Sequence, residues 1–225
     1  ILLTGFVALL YIARIEHYRS AWKNLKEVSV KPGSRTPVTV LVPVRNEAKV
    51  IGRLLADLQS QDYPKELLEI LVIDDHSDDH TGNVAINAGL TNLQVITLQD
   101  VHGKKAALTK GVEIASGELI LTTDADVSVG PQWISAMGAC YETERPPFMA
   151  GPVLASESNG WTHEFQAAEQ SLLTALAGAS IQLKKPLLCS GANLGFTKKA
   201  FSEVNGYVGS QHIASGDDMF LMIKM

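Results

Sequence analysis

Residues 119–129, LILTTDADVSV, end an apolar run in two carboxylates, Asp124 and Asp126, with only Ala125 between them. Read as an extended segment, in which side chains alternate faces, the run sends both carboxylates the same way. Like charges that close repel unless a cation lies between them, and a hard divalent ion such as Mg2+ or Mn2+ suits oxygen ligands. Mg2+ keeps one or two protein carboxylates and completes its shell with water and phosphate oxygens, so the stretch predicts a metal diphosphate site. The competing reading is a solvated Asp-x-Asp turn that caps the next helix.

The elements around this pair bear on the choice. Residues 38–42 form a short β-branched strand expected to stop at Pro43, and Asn46 is expected to cap a helix carrying Val50, Leu54, Leu55 and Leu58 at helical spacing. Residues 68–73 read as a second buried strand, 93–97 as a third, 104–115 as a helix closed by Ser116 and Gly117, and 119–123 as a fourth strand. Further on, a strand is expected near 148–153, a long helix over 161–181, and a tight small-residue turn over 190–193. Alternation of this kind predicts an α/β fold with an open, mostly parallel sheet flanked by helices. Ligands of such sheets bind at the carboxyl ends of the strands, where residues 43–47, 74–79 and 124–126 all fall.

At 225 residues and 46% hydrophobic content the chain can bury one large core. A net charge of −5 supplies no basic field, which argues against a nucleic-acid partner. Cys140 and Cys189 lack metal-type spacing and read as free, buried thiols. Residues 1–15 are almost wholly apolar and are followed by Arg14, Arg19, Lys23, Lys26, Lys31 and Arg35 against only Glu16 and Glu27. This predicts the truncated end of a transmembrane helix with a basic linker over residues 1–35, the rest lying on the cytoplasmic side of a membrane. A signal-peptide core or a buried amphipathic helix are the alternatives.

Three runs then carry a resemblance: VTVLVPVRNEAKVIGRLLADLQSQDYP, ILVIDDHSDDHTG and HGKKAALTKGVEIASGELILTTDADV resemble the nucleotide-binding half of the family 2 glycosyltransferases. CSGANLGFTKKAFSEVNGY and SGDDMFLMIK resemble their acceptor half. The resemblance runs from about residue 36 to the end and implies a GT-A type, Rossmann-like domain over 36–225. It also implies an inverting, metal-dependent transferase that takes a sugar from a nucleoside diphosphate donor, with UDP-sugars expected. The acceptor would be a glycan or lipid-linked hydroxyl.

Carried over to this chain, the resemblance places Pro43 and Glu47 at the nucleobase and ribose pocket. Asp75 falls where a carboxylate accepts from the base, a role suited to the imide N–H of uracil. Asp74 beside it is expected to serve the turn. Lys104 would meet the donor phosphates at a helix start, with Lys105 able to substitute for it. Asp126 would ligate Mg2+ or Mn2+, and Asp124 would touch the ribose or share the metal. Gly191 and its neighbours would border the donor sugar. Asp218 would be the base that takes the acceptor proton, with Asp217 second. Thr109 stands where the family has asparagine. His76, His80 and His102 read as surface residues of polar loops. Two other classes are weighed: a nucleotidyltransferase, which usually shows a glycine-rich loop where this chain has PVRNEA, and an inactive nucleotide-sugar-binding scaffold.

Overall fold

The computed structural model describes residues 2–29, 35–156, 160–211, 213 and 215–225. Part of the basic linker expected within residues 1–35 lies outside the described residues. The chain folds into two compact units, Val28–Gly151 with Ser190–Met225, and Ile1–Glu27 with Pro152–Cys189.

The larger unit is built on six strands: β1 (Val38–Val44), β2 (Leu68–Asp74), β3 (Leu93–Thr97), β4 (Leu119–Thr122), β5 (Phe148–Ala150) and β6 (Leu194–Thr197). They form one sheet in the order β3-β2-β1-β4-β6-β5. β1 pairs in parallel with β2 and β4, and β2 with β3, whereas β6 runs antiparallel to both β4 and β5. The apolar runs are nearly continuous because this sheet is covered on both faces. On one face Val38, Val40 and Val42 join Ile51, Leu54, Leu55 and Leu58 of helix α2 (Ile51–Gln59) and Ile134 of α5 (Trp133–Glu144). On the other, Leu41, Leu71, Ile73 and Ile120 meet Ala107, Leu108 and Val112 of α4 (Lys104–Ile114), together with Phe196, Phe201 of α7 (Lys198–Glu203), Tyr207 and Leu221. The mostly parallel α/β sheet expected from the sequence is present.

Local departures from expectation have physical causes. β1 continues through Pro43 to Val44 because its ladder with β4 has ended by then, so the missing N–H of proline interrupts no pairing on that side. Asn46 does not cap α2. It adopts a left-handed backbone with φ 59°, and its side-chain oxygen accepts from Asp78 N–H. β4 ends at Thr122, so Asp124 and Asp126 leave the sheet in a turn rather than alternating along a strand. Gly117, just before β4, lies so close to β1 that a Cβ there would come within 2.5 Å of Thr39 N. Cys140 and Cys189 are half-buried thiols rather than fully buried ones.

The smaller unit holds α1 (Leu2–Lys23) and α6 (Trp161–Gln182), with Trp22 and Leu25 lying over Gly178. The expected transmembrane helix is not supported, since no helix of the described residues is long and apolar enough to cross a membrane. α1 does run for 22 residues, but Arg14, Glu16, Arg19 and Lys23 occupy its second half. The part over residues 2–13 is almost wholly apolar. Leu3, Phe6, Leu9, Leu10 and Ile12 of that part are exposed.

Candidate functional site

At the carboxyl ends of the parallel strands lies a cleft of about 390 Å³ lined by Pro43, Val44, Arg45, Glu47, Asp75, Lys104, Ala107, Asp124, Ala125 and Asp126. Pro43, Glu47, Asp75, Lys104, Asp124 and Asp126, singled out above, are thus brought together from four separate stretches of chain.

One wall is held by a polar lattice between the loops after β1 and β2. The Asp74 carboxylate accepts from Ser77 N–H and Oγ, at 2.9 and 2.6 Å, and so serves the turn. Thr81 Oγ accepts from Glu47 N–H at 2.8 Å, and Asp79 accepts from Ala48 N–H at 3.0 Å. These bonds fix the backbone that presents Glu47. Asp75 itself is buried and its N–H donates to Val44 O at 2.8 Å, while Oδ2 accepts from Gly103 N–H at 2.8 Å. Arg45 Nη1 stands 3.7 Å from the same oxygen.

Lys104 opens α4 at the centre of the cleft. Its Nζ donates to Asp124 Oδ1 at 2.7 Å and lies 3.6 Å from Asp217 Oδ2. Burial opposes the charge on this amine, but Asp124, Asp217 and Asp218 outweigh it and raise the pKa. Glu47 is the converse case: burial, then Asp126, Asp79 and Asp124, push its carboxyl above the ordinary range. The cleft therefore carries more carboxylate than Lys104 and Arg45 offset at close range. Carboxylate oxygens are the donor type a hard divalent cation takes; Asp126 is exposed and Asp124 is held by Lys104.

Asp217 and Asp218 begin α8 (Asp217–Lys224) beside the short 3-10 turn Gly191–Asn193. They are not among the residues lining the cleft, and they meet it through Lys104. Asp218 Oδ2 accepts from Gly191 N–H at 3.1 Å, and a Cβ on residue 191 would meet Lys104 Nζ at 3.1 Å. Thr122 Oγ at the end of β4 donates to Gly191 O at 3.1 Å, which ties this turn to the strand that leads to Asp124.

Lys105 cannot substitute for Lys104. It is buried and donates to the carbonyls of Ser210, Ile213 and Ser215 at 2.9, 2.7 and 3.2 Å, with its ammonium 4.7 Å from the Phe220 ring centroid. The two lysines leave the helix start in different directions, one to the cleft and one to the loop before α8. His76 and His102 are also more than surface residues: both approach Asp75, with His76 Nδ1 3.1 Å and His102 Nδ1 3.7 Å from Oδ1. The Asp75 carboxylate, then the Gln99 carbonyl, raise the His76 pKa. His80 instead precedes α3 (Thr81–Asn87) in a left-handed conformation. Sequence reading missed the histidine pair because they stand 26 positions apart, and only the β2–β3 pairing closes that distance.

The sequence profile of Glycosyl transferase family 2 matches residues 39–204, well over half of the chain. The chain belongs to that family. Among curated relatives, glycosyltransferase AglE of Haloferax volcanii is 28% identical over 184 residues, covering 81% of this chain and 59% of AglE. A beta-monoglucosyldiacylglycerol synthase of Nostoc is 30% identical over 166 residues, covering 71% of this chain and 33% of the relative. Among solved structures, mannosyltransferase PcManGT of Pyrobaculum calidifontis, in complex with GDP-Man and Mn2+, gives a TM-score of 0.71 at 24% identity over 98% of this chain and 61% of its own. TarS of S. aureus with UDP-GlcNAc gives 0.62 at 19% identity, over 83% of this chain and 52% of TarS. This family 2 chain thus shares the GT-A fold with those structures and spans about three fifths or less of each of these four proteins.

Proposed function

We propose that this family 2 chain moves a sugar from a nucleoside diphosphate sugar to a hydroxyl acceptor in one inverting displacement. The observation that carries this reading is the convergence of Glu47, Asp75, Lys104, Asp124 and Asp126 on one cleft at the strand ends, with Asp217 3.6 Å from the same lysine. Pro43 and Glu47 border the end for the nucleoside. Asp75 offers a carboxylate to the N–H edge of the base, which suits uracil, and UDP is the donor nucleotide proposed.

A Mg2+ or Mn2+ ion on Asp126 would offset the charge that grows on the leaving diphosphate. Lys104 sits where it can pair with the same oxygens, and Asp124 holds that ammonium in place. Asp218 takes the proton of the acceptor hydroxyl as the hydroxyl oxygen bonds to the anomeric carbon; the bond to the diphosphate oxygen breaks and its electrons leave with the diphosphate. Gly191 N–H orients the Asp218 carboxylate, whose oxygens retain lone pairs for the proton. Asp217 belongs to the Lys104 ion network.

A lipid-linked or polysaccharide acceptor at the cytoplasmic face of a membrane is supported by two observations. α1 and α6 expose Phe6, Leu9, Leu10, Trp161, Phe165 and Leu172, and Arg14, Arg19, Lys23 and Lys26 follow the apolar part of α1. The Nostoc relative is named as the synthase of a glucosyldiacylglycerol, a glycolipid.

The test is turnover by the whole chain with panels of UDP- and GDP-sugars and Mn2+, reading release of the nucleoside diphosphate and the anomeric configuration of the product. Release with inversion supports the proposal. Binding of a nucleoside diphosphate without release from any donor and acceptor would favour the scaffold reading instead.

A further inference from the structure

We propose that His76 is a positioning residue for the donor base: as an imidazolium it holds the Asp75 carboxylate in the orientation that receives the base, so donor binding weakens when the ring loses a proton. The inference deepens the donor reading above and rests on it for the effect on binding.

Both ring nitrogens of His76 face acceptor oxygens. Nδ1 lies 3.1 Å from Asp75 Oδ1, and Nε2 lies 3.1 Å from the Gln99 carbonyl oxygen. A neutral imidazole carries one N–H and one bare lone pair, so it can donate to only one of the two; the imidazolium donates to both. In that form the ring ties the turn after β2 to the loop after β3. The surrounding groups agree with this state. The Asp75 carboxylate, then the Gln99 carbonyl, raise the His76 pKa, against burial and the charge of Arg45. His102 also faces the ring, with centroids 4.0 Å apart, but its Nδ1 is 3.7 Å from Asp75 Oδ1, beyond hydrogen-bond distance.

Asp75 is buried, so bonds to protein rather than water aim its carboxylate. Oδ2 accepts from Gly103 N–H at 2.8 Å and Oδ1 from His76, and the second lone pair of each oxygen is left for an N–H of the base. A neutral His76 breaks this arrangement in one of two ways. If Nε2 keeps its proton, Nδ1 turns a lone pair on Oδ1, acceptor against acceptor. If Nδ1 keeps it, Nε2 opposes the Gln99 carbonyl and the ring loses its support. His76 also holds a left-handed backbone, φ 59°, which histidine and asparagine adopt more readily than most residues. Asparagine at this position accepts the same backbone and can offer Asp75 an uncharged N–H that does not titrate.

Two measurements on the whole chain test this. The ring resonances of His76 are followed by NMR through a pH titration without nucleotide, which separates the clamp from the donor reading. The ring is expected to titrate above 6.5, and lower in Asp75→Asn than in the wild type. Calorimetry with Mg2+ then reads binding of UDP-glucose and of GDP-mannose over the same pH range; the phosphates of both are diesters and do not titrate there. Affinity is expected to fall about fivefold as pH rises through the interval above 6.5, the equivalent of one ordinary hydrogen bond. It is expected to stay level in His76→Asn and to fall as in the wild type in His102→Asn. A ring that titrates at or below 6.5, or a fall that His76→Asn shares, would overturn the proposal. Absence of donor binding at every pH would count against the donor reading, and the ring titration would still decide whether His76 holds Asp75.

Discussion

Replacing Lys105 by methionine keeps most of the side-chain volume but deletes three charge-assisted hydrogen bonds, to the carbonyls of Ser210, Ile213 and Ser215. Such bonds contribute about 1.5–3 kcal/mol each when taken singly. Two terms reduce their sum: the ammonium no longer has to be stripped of water, and carbonyls near the exposed Ser215 can be rehydrated. A net loss of about 3 kcal/mol remains, which for a chain of this size corresponds to a fall in Tm of about 6–12 °C. The loss should be concentrated where the bonds were, so backbone exchange over residues 210–218 should accelerate more than exchange in β1 or β2. Lys104→Met should behave in the opposite way. Lys104 is partly exposed, and pairs of that kind contribute only about 0.2–1 kcal/mol, so Tm should scarcely move while nucleoside diphosphate binding falls. Calorimetric melting and hydrogen exchange on both variants check this. An unchanged Tm and unchanged exchange in Lys105→Met would refute the assignment of Lys105 as the residue that holds the loop before Asp217 and Asp218.

Gly117→Ala should lower stability by about 2–3 kcal/mol in urea denaturation, because the new methyl group meets the β1 backbone rather than a movable side chain; an unshifted midpoint would contradict that packing. The native pKa of Glu47 is raised above 4.5, so as pH climbs through the interval above 4.5 the native state releases this proton later than the unfolded chain, and stability falls. Glu47→Gln should therefore match the wild type in Tm below that interval and exceed it at neutral pH without metal, while binding the donor less well. Asp218→Asn should cut turnover by about 10²–10⁴-fold with donor affinity unchanged, measured by initial rates and equilibrium binding. Full turnover in that variant would remove Asp218 from the role of base.

Much of this fold is legible in the amino-acid sequence because its parallel strands are buried on both sides. That burial demands nearly continuous apolar runs such as VTVLV and LEILVI, broken only by Thr39 and Glu69, and turn residues punctuate them. β6 escaped because LGFT is four residues long with a glycine, and it pairs only with segments far away in the chain. α3, with the polar sequence TGNVAIN, offers no helical stripe long enough to register. The site residues are readable as types at strand ends, but Asp124 and Asp126 share the cleft through a turn and not through the strand alternation that their spacing predicts. Nothing local distinguishes Lys104 from Lys105, since their difference lies in what packs around α4. The apolar N-terminal run reads as the end of a membrane helix, yet α1 carries it on through Arg14, Glu16, Arg19 and Lys23, and no helix of the described residues is long and apolar enough to cross a membrane.

Isothermal titration of UDP and GDP into the whole chain, with and without Mn2+, in the wild type and in Asp126→Ala, tests the central claim most directly. The account predicts metal-dependent binding of a nucleoside diphosphate that Asp126→Ala weakens at least about tenfold, a loss of about 1.4 kcal/mol or more. Binding that ignores both the metal and the substitution would contradict it.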